Sequence, residues 1–286
     1  MIKEDSIMLF SKLFDFFKDV FILEEGAHKD FFIQKLDPRV KLTVTFIGVI
    51  SVILIQSILL YPVFLLTTLI LARIARLPIK EFMLRSLVFI VFFTLLIALP
   101  LPFITPGKVI GVFTILGLTV TVTWEGLYTG LSLVLRVWTA LNLLNLLVMT
   151  TGFDKISAAL STLRAPKLIT ILFDLTLKYI FVIVYEAARL SRAQEARRLR
   201  KPGFFERVRA VSPIIANIFL RSHVRANNMY NAMLARGFNG KYYSLHALKI
   251  KRVDITYFIL MGGYFIILVL LDRSLPLSNM MFLLNI

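Results

Sequence analysis

The chain has 286 residues, of which 58% are hydrophobic, well above the apolar share of a soluble domain, so it reads as one multi-span membrane domain. A formal charge of +16 would suggest nucleic acid in a soluble protein; in a membrane protein, Lys and Arg collect in cytoplasmic loops and set orientation. The absence of Cys excludes disulfides and thiolate metal sites, and His28, His223 and His246 are too scattered for a His-rich site.

In chain order, Leu9, Phe10, Leu13, Phe16, Phe17 and Val20 recur at helical intervals among Lys and Asp. This predicts an amphipathic helix on the membrane face over 7–23, within an N-terminal amphipathic segment 1–40. Charges run through that segment, so a cleaved signal peptide is not expected. Pro38 suits a helix start, and 42–60 forms a crossing. Tyr61-Pro62 reads as a tight turn, with 62–72 returning toward Arg73, Arg76, Lys80 and Arg85. Residues 86–100 cross again before Pro100, Pro102, Pro106 and Gly107 break the helix, and 126–150 form a long span. Between them, 109–123 is short and rich in β-branched residues, which favours a hairpin turning near Gly117 on the outer side.

Residues 168–186 are long enough to span but contain Asp174, Lys178 and Glu186. The positive-inside rule places this segment in or under the membrane, because the basic stretches 73–85, 151–167 and 187–252 then all face the cytoplasm. Polar positions Thr170, Asp174, Lys178, Tyr185, Arg189, Arg192 and Ala196 continue one helical stripe, so 167–200 reads as a single helix. Helices over about 204–223 and 224–236 follow, and Gly237 stops the second. The expected fold is an all-α integral membrane protein with about five transmembrane helices, the last over 253–272, plus long amphipathic cytoplasmic helices. Its divisions are 1–40, 41–150 (transmembrane), 151–252 (membrane-lying and cytoplasmic helices) and 253–286 (last span and tail). The N-terminus and the basic helices face the cytoplasm.

No Walker A, Gly-x-Ser-x-Gly or His-Glu-x-x-His motif is present, so no catalytic residue, cofactor or metal site is expected. Arg136 falls near the middle of the 126–150 span. It is either a substrate or gating contact or, preferably, a structural anchor bonded to backbone or a neighbouring polar group. Asn142 and Asn145 read as interhelical hydrogen-bond glue, and Asp174 with Lys178 as a helix-stabilising i,i+4 pair. Residues 187–252 hold 15 of the 33 Lys and Arg and only two carboxylates. Within them a small pattern occurs twice: Ala196-Arg197-Arg198 and Ala235-Arg236-Gly237. Ala lets a partner approach closely, and Arg supplies a rigid fork of donors for carboxylates or helix-end carbonyls.

With these motifs, Leu36-Asp37-Pro38-Arg39-Val40-Lys41-Leu42, Trp124-Glu125-Gly126-Leu127 with Arg136, Thr150-Thr151 and Leu163-Arg164-Ala165-Pro166 make the chain resemble the T subunit of energy-coupling factor (ECF) transporters. The resemblance implies that Ala196, Arg197, Arg198 and Ala235, Arg236, Gly237 lie on two cytoplasmic coupling helices that insert into grooves of two ATP-binding-cassette ATPases. Arg198 departs from the Gly usual at that place, and the helix is expected to continue there to Pro202. The resemblance further implies that ATP hydrolysis belongs to the partner ATPases, and that substrate, a vitamin or a transition-metal ion such as cobalt, is captured by a small membrane S component. Two other classes are weighed: a self-sufficient channel or secondary transporter with Arg136 on its pathway, and a membrane-anchored binder of RNA or anionic lipid using 187–252. Few intramembrane acids and no internal repeat speak against the first. Weak aromatic interleaving, with Phe204, Phe205 and Phe219 more easily read as membrane contacts, speaks against the second, and no nucleic-acid partner is expected.

Overall fold

Asp37 and Pro38 open the first helix as their chemistry requires. In the computed structural model, which describes residues 31–115, 118–163, 166–197, 203–240 and 250–274, α1 runs Pro38–Leu54. The Asp37 carboxylate accepts the Arg39 N–H at 2.9 Å, capping the helix, and Pro38 stands where an N–H would have no acceptor. The expected helix over 7–23, the turn at Gly117, and Arg164, Ala165 and Arg198 lie outside the described residues.

The α1 helix ends at Leu54, so the crossing is shorter than 42–60. The chain turns over 55–59, and α2 spans Leu60–Ile74. Tyr61-Pro62 is therefore not a turn: both residues lie in the first turn of α2, whose N–H groups have no helical acceptor and tolerate Pro. Then follow α3 (Ile79–Phe89), a π-helical turn over Ile90–Thr94, α4 (Leu95–Ala98) and α5 (Leu101–Ile104). Strands β1 (Val109–Ile115) and β2 (Leu118–Thr123) pair antiparallel as the β-branched run predicts. The long α6 covers Trp124–Thr151, α7 Phe153–Thr162, α8 Lys167–Ala196, α9 Phe204–Ala235 and α10 Arg252–Ser274. Apart from the hairpin, the described residues make an all-α membrane protein.

Three described helices are long and apolar enough to cross a membrane: Trp124–Thr151, Leu168–Gln194 and Arg252–Ser274. The second covers 168–186, the segment that charge balance is expected to keep at the surface. Its internal charges are matched, because Lys178 Nζ lies 2.8 Å from Asp174 Oδ2, which lowers their cost in an apolar setting. In place of separate helices over 204–223 and 224–236, α9 is continuous through that boundary and absorbs Pro213 without breaking.

The described residues fall into two compact units, 31–152 with 250–274 and 153–240. In the first, α1 packs against α6 and α10, and α2 and α3 against α6. Its core joins Val44, Val52, Phe64, Leu143, Phe265 and Leu268, with the Phe64 and Phe265 rings stacked at 5.4 Å. Gly48 lets α1 approach: a Cβ there would sit 2.9 Å from Phe265 Cε2, the small-residue contact expected where helices associate in lipid. Outward, Phe46, Ile50, Ile53, Ile259, Leu260, Ile266, Ile267 and Leu270 are exposed, an apolar belt that water would penalise and lipid accepts. In the second unit, α7 and α9 each pack on α8.

Candidate functional site

Polar side chains in the first unit gather at two levels. At one, Lys41 is buried and donates from Nζ to the Thr150 carbonyl at 3.0 Å, satisfying one of the carbonyls that the end of α6 leaves open. Asp254 binds the start of α1 to the start of α10. Its Oδ1 accepts the Asp37 N–H at 2.9 Å and its Oδ2 the Lys251 N–H at 2.6 Å. Asp37, Lys41, Thr150, Thr151 and Asp254 are all buried. The Leu-Asp-Pro-Arg-Val-Lys-Leu and Thr-Thr stretches are thus halves of one clasp, and Asp254 is its unread third member.

At the other level, Asp272 of α10 accepts the N–H groups of Gln56 and Ser57 at 2.9 and 3.2 Å. Arg136 donates through Nε to the Tyr61 hydroxyl at 3.0 Å and through a terminal nitrogen to the Ile55 carbonyl at 3.1 Å. The Tyr61 hydroxyl itself donates to Ile55 O at 2.9 Å. Arg136 is therefore bonded to the turn that ends α1. It lies midway along α6 in sequence but level with the end of its neighbour, because α6 at 28 residues is about 42 Å long and exceeds the hydrocarbon thickness.

Beyond Arg136, α6 begins with Trp124-Glu125-Gly126. Glu125 Oε2 accepts the Lys108 N–H at 2.7 Å, pinning the base of the hairpin. A Cβ on Gly126 would fall 2.6 Å from Pro102 Cα and 2.7 Å from Leu101 O, so Gly there lets the Pro-rich segment lie on α6. Asn145 of α6 reaches the Phe82 carbonyl of α3 at 3.4 Å, as interhelical glue should. Asn142 instead bonds its own helix at Trp138 O, 2.9 Å, and the α3 contact is made by Trp138 Nε1 on Ser86 Oγ at 3.2 Å.

The two Ala-Arg pairs lie in the second unit. Ala196 is the last residue of α8 and Arg197 occupies the turn beyond it, its N–H donating to Gln194 O at 3.3 Å. The helix therefore ends at Ala196. Ala235 is likewise the last residue of α9, and Arg236 is its C-cap. Gly237 has φ +80°; its N–H donates to Leu234 O at 2.9 Å, and that of Phe238 to Met233 O at 3.0 Å. These two bonds define a Schellman stop, in which a left-handed residue closes the open carbonyls and Gly carries no steric penalty. Ala196, Arg197, Ala235 and Arg236 are exposed.

Helices α8 and α9 meet at Glu186, which accepts hydrogen bonds from Arg189 at 3.2 Å and from Arg221. From there Ala196 is about 15 Å along α8 and Ala235 about 21 Å beyond Arg221 along α9. A hydrogen-bonded carboxylate thus ties together the two rods that carry the Ala-Arg pairs. Nothing in the pairs themselves signals Glu186; a carboxylate followed closely by Arg189 and Arg192 is the sequence cue.

The cobalt transport protein family matches residues 29–245 of the chain. An uncharacterized protein of Methanocaldococcus jannaschii is 29% identical over 85% of this chain and 84% of its own length. The energy-coupling factor transporter transmembrane protein EcfT of Thermotoga maritima is 28% identical over 85% of this chain and 91% of its own. That of Streptococcus thermophilus is 29% identical over 74% and 82%. With the buried clasp and the apolar belt, this coverage means that the chain belongs to the cobalt transport protein family and is the membrane component of an energy-coupling factor transporter.

Proposed function

We propose that the chain couples two ATP-binding-cassette ATPases to a substrate-binding S component in an importer of a transition-metal ion or vitamin. The carrying observation is the equivalence of the two Ala-Arg pairs: each Ala is the last residue of a long helix, and each Arg is the exposed residue after it. A helix end offers a blunt knob, Ala keeps its neck narrow, and the Arg fork reaches carboxylates or carbonyls lining a groove. Two such knobs on helices joined through Glu186 suit two similar grooves, and a pull on one rod is passed to the other. Arg198 would meet the first groove where Gly237 meets the second. The N-terminus and both knobs face the cytoplasm in this reading, because the chain's densest Lys and Arg then obey the positive-inside bias.

Pull-down of both ATPases from membranes that co-express them tests the reading. Arg197→Glu and Arg236→Glu should each lose ATPase while the chain remains in the membrane fraction at normal abundance. Undiminished co-purification in both variants overturns the proposal. Uptake by the purified chain alone in liposomes would favour a self-sufficient channel, a reading that Arg136, engaged with Tyr61 and Ile55, does little to support.

A further inference from the structure

Among the described residues, the crevice where α8 meets α9 sets three guanidinium groups against one carboxylate. Three guanidinium groups line it, from Arg189 of α8 and from Arg221 and Arg225 of α9, with Asn228 one turn further on. Among the described residues Glu186 is the one acid that lines it; its carboxylate is 13% exposed and one oxygen takes both Arg189 and Arg221. The Arg side chains stay open to an incoming group, at 58% and 47% exposure for Arg189 and Arg221. The remaining walls are Leu220 and Val224, and Phe219 and Ile215 continue an exposed apolar strip along α9. At about 560 Å³, the crevice is an open surface groove with room for a headgroup and not an enclosed pocket.

Its level along α8 decides what class of anion fits. From Leu168 to Val184 the helix is uncharged save for the Asp174–Lys178 pair, and from Glu186 onward it carries Arg189 and Arg192, with Arg197 in the turn beyond its end. Helices that change composition in this way do so at the boundary between acyl chains and water, whether they cross the bilayer or lie in its face. A crevice at that boundary, lined by guanidinium groups from both helices and by the apolar Leu220 and Val224 of α9, matches an amphiphile. Guanidinium groups pair with phosphate oxygens through two parallel hydrogen bonds, and the cytoplasmic leaflet supplies anionic headgroups.

We infer that the Arg189–Arg221–Arg225 crevice binds the phosphate headgroup of an anionic phospholipid, with the acyl chains along Leu220 and Val224. Besides joining the two helices, Glu186 then holds Arg189 and Arg221 at a fixed spacing for the phosphate. The inference rests on the membrane residence of the chain and not on ATPase coupling, since the crevice is about 15 and 21 Å along the helices from the two Ala-Arg pairs.

Native mass spectrometry of the purified full chain in detergent micelles, titrated with phosphatidylglycerol or phosphatidylcholine, is the test. Phosphatidylglycerol should occupy one site that phosphatidylcholine does not fill, and Arg225→Gln should weaken that site about tenfold, the scale of one lost charge-assisted bond. Arg225→Lys keeps the charge but not the fork and should fall between; it also serves as a folded control for the charge-removing variant. Millimolar inorganic phosphate should not displace the lipid. Equal occupancy by both lipids, unchanged affinity in Arg189→Gln/Arg225→Gln, or displacement of the lipid by millimolar phosphate would each overturn the inference. In pull-downs the double variant should keep its ATPases. Loss of ATPase with lipid binding intact would assign the crevice to a protein carboxylate and overturn it too, whereas failure of Arg197→Glu and Arg236→Glu to release ATPase would count only against the coupling reading.

Discussion

Lys41 shows how a charge is kept inside a membrane unit: it is spent on a backbone carbonyl at a helix end. The Thr150 carbonyl has no helical donor, and a side chain from α1 supplies one. Removal of the ammonium leaves a buried acceptor without its partner, at about 1–3 kcal/mol. Lys41→Met, which keeps the length of the side chain, should therefore lower the thermal midpoint of the purified protein in detergent; an unchanged midpoint would show that the clasp carries no stability. Asp254→Asn tests the same clasp from α10. Both carboxylate oxygens accept backbone N–H groups, and an amide would turn a donor toward one of them, so a loss of similar size is expected. Asp254→Ala, which removes both acceptors, should cost more, and the two are ranked by the same melting measurement. Arg136 is the mirror case. A long polar side chain in the middle of an apolar run invites reading as a gate, yet its partners are Tyr61 and the Ile55 carbonyl, both beyond what sequence spacing can reveal.

At the scale of elements, what was legible depended on whether the cue was local. The hairpin at 109–123 was legible because β-branched residues at a length too short to span leave little else. The stop at Gly237 was legible because a left-handed C-cap is a one-residue requirement. Gly237→Ala keeps the space, since nothing lies within 4 Å of its missing Cβ, but it must hold φ +80° at a cost of about 1–2 kcal/mol. Fraying should follow at Met233 to Arg236, seen as faster amide hydrogen exchange there than in α8; equal exchange would refute the strain argument. The family motifs were likewise readable, because they rest on residue order along the chain. What escaped was tertiary. Tyr61-Pro62 looks like a turn until Asp272 is seen to hold the preceding residues in place. Only a partner 216 residues away explains why the chain bends at Gln56. The placement of 168–186 depended on charges that turn out to be paired within the helix. Pro213 gives no break either, because in a helix of 32 residues the remaining bonds carry one missing donor.

Across the membrane unit, the two polar levels have a geometric consequence. Lys41 and Ile55 stand about 21 Å apart along α1, Arg136 and Thr150 about 21 Å along α6, and Asp254 and Asp272 about 27 Å along α10. Three helices thus run between the same two clasps, with the apolar belt between them, over a span comparable to the roughly 30 Å hydrocarbon core. The clasps should mark its two faces, one holding Thr150 and Asp254, the other holding Gln56 and Asp272. This is testable without background, because the chain has no Cys. Arg252→Cys and Arg273→Cys place a thiol at exposed positions near either end of α10. A membrane-impermeant maleimide applied to intact cells should label Arg273→Cys and reach Arg252→Cys only after lysis. Arg236→Cys, at the tip of α9, should behave like Arg252→Cys if the knobs meet cytoplasmic ATPases. Labelling of 252 and 273 from the same face would refute the crossing of α10, whereas outside labelling of 236 alone would leave the clasps in place and refute the coupling orientation.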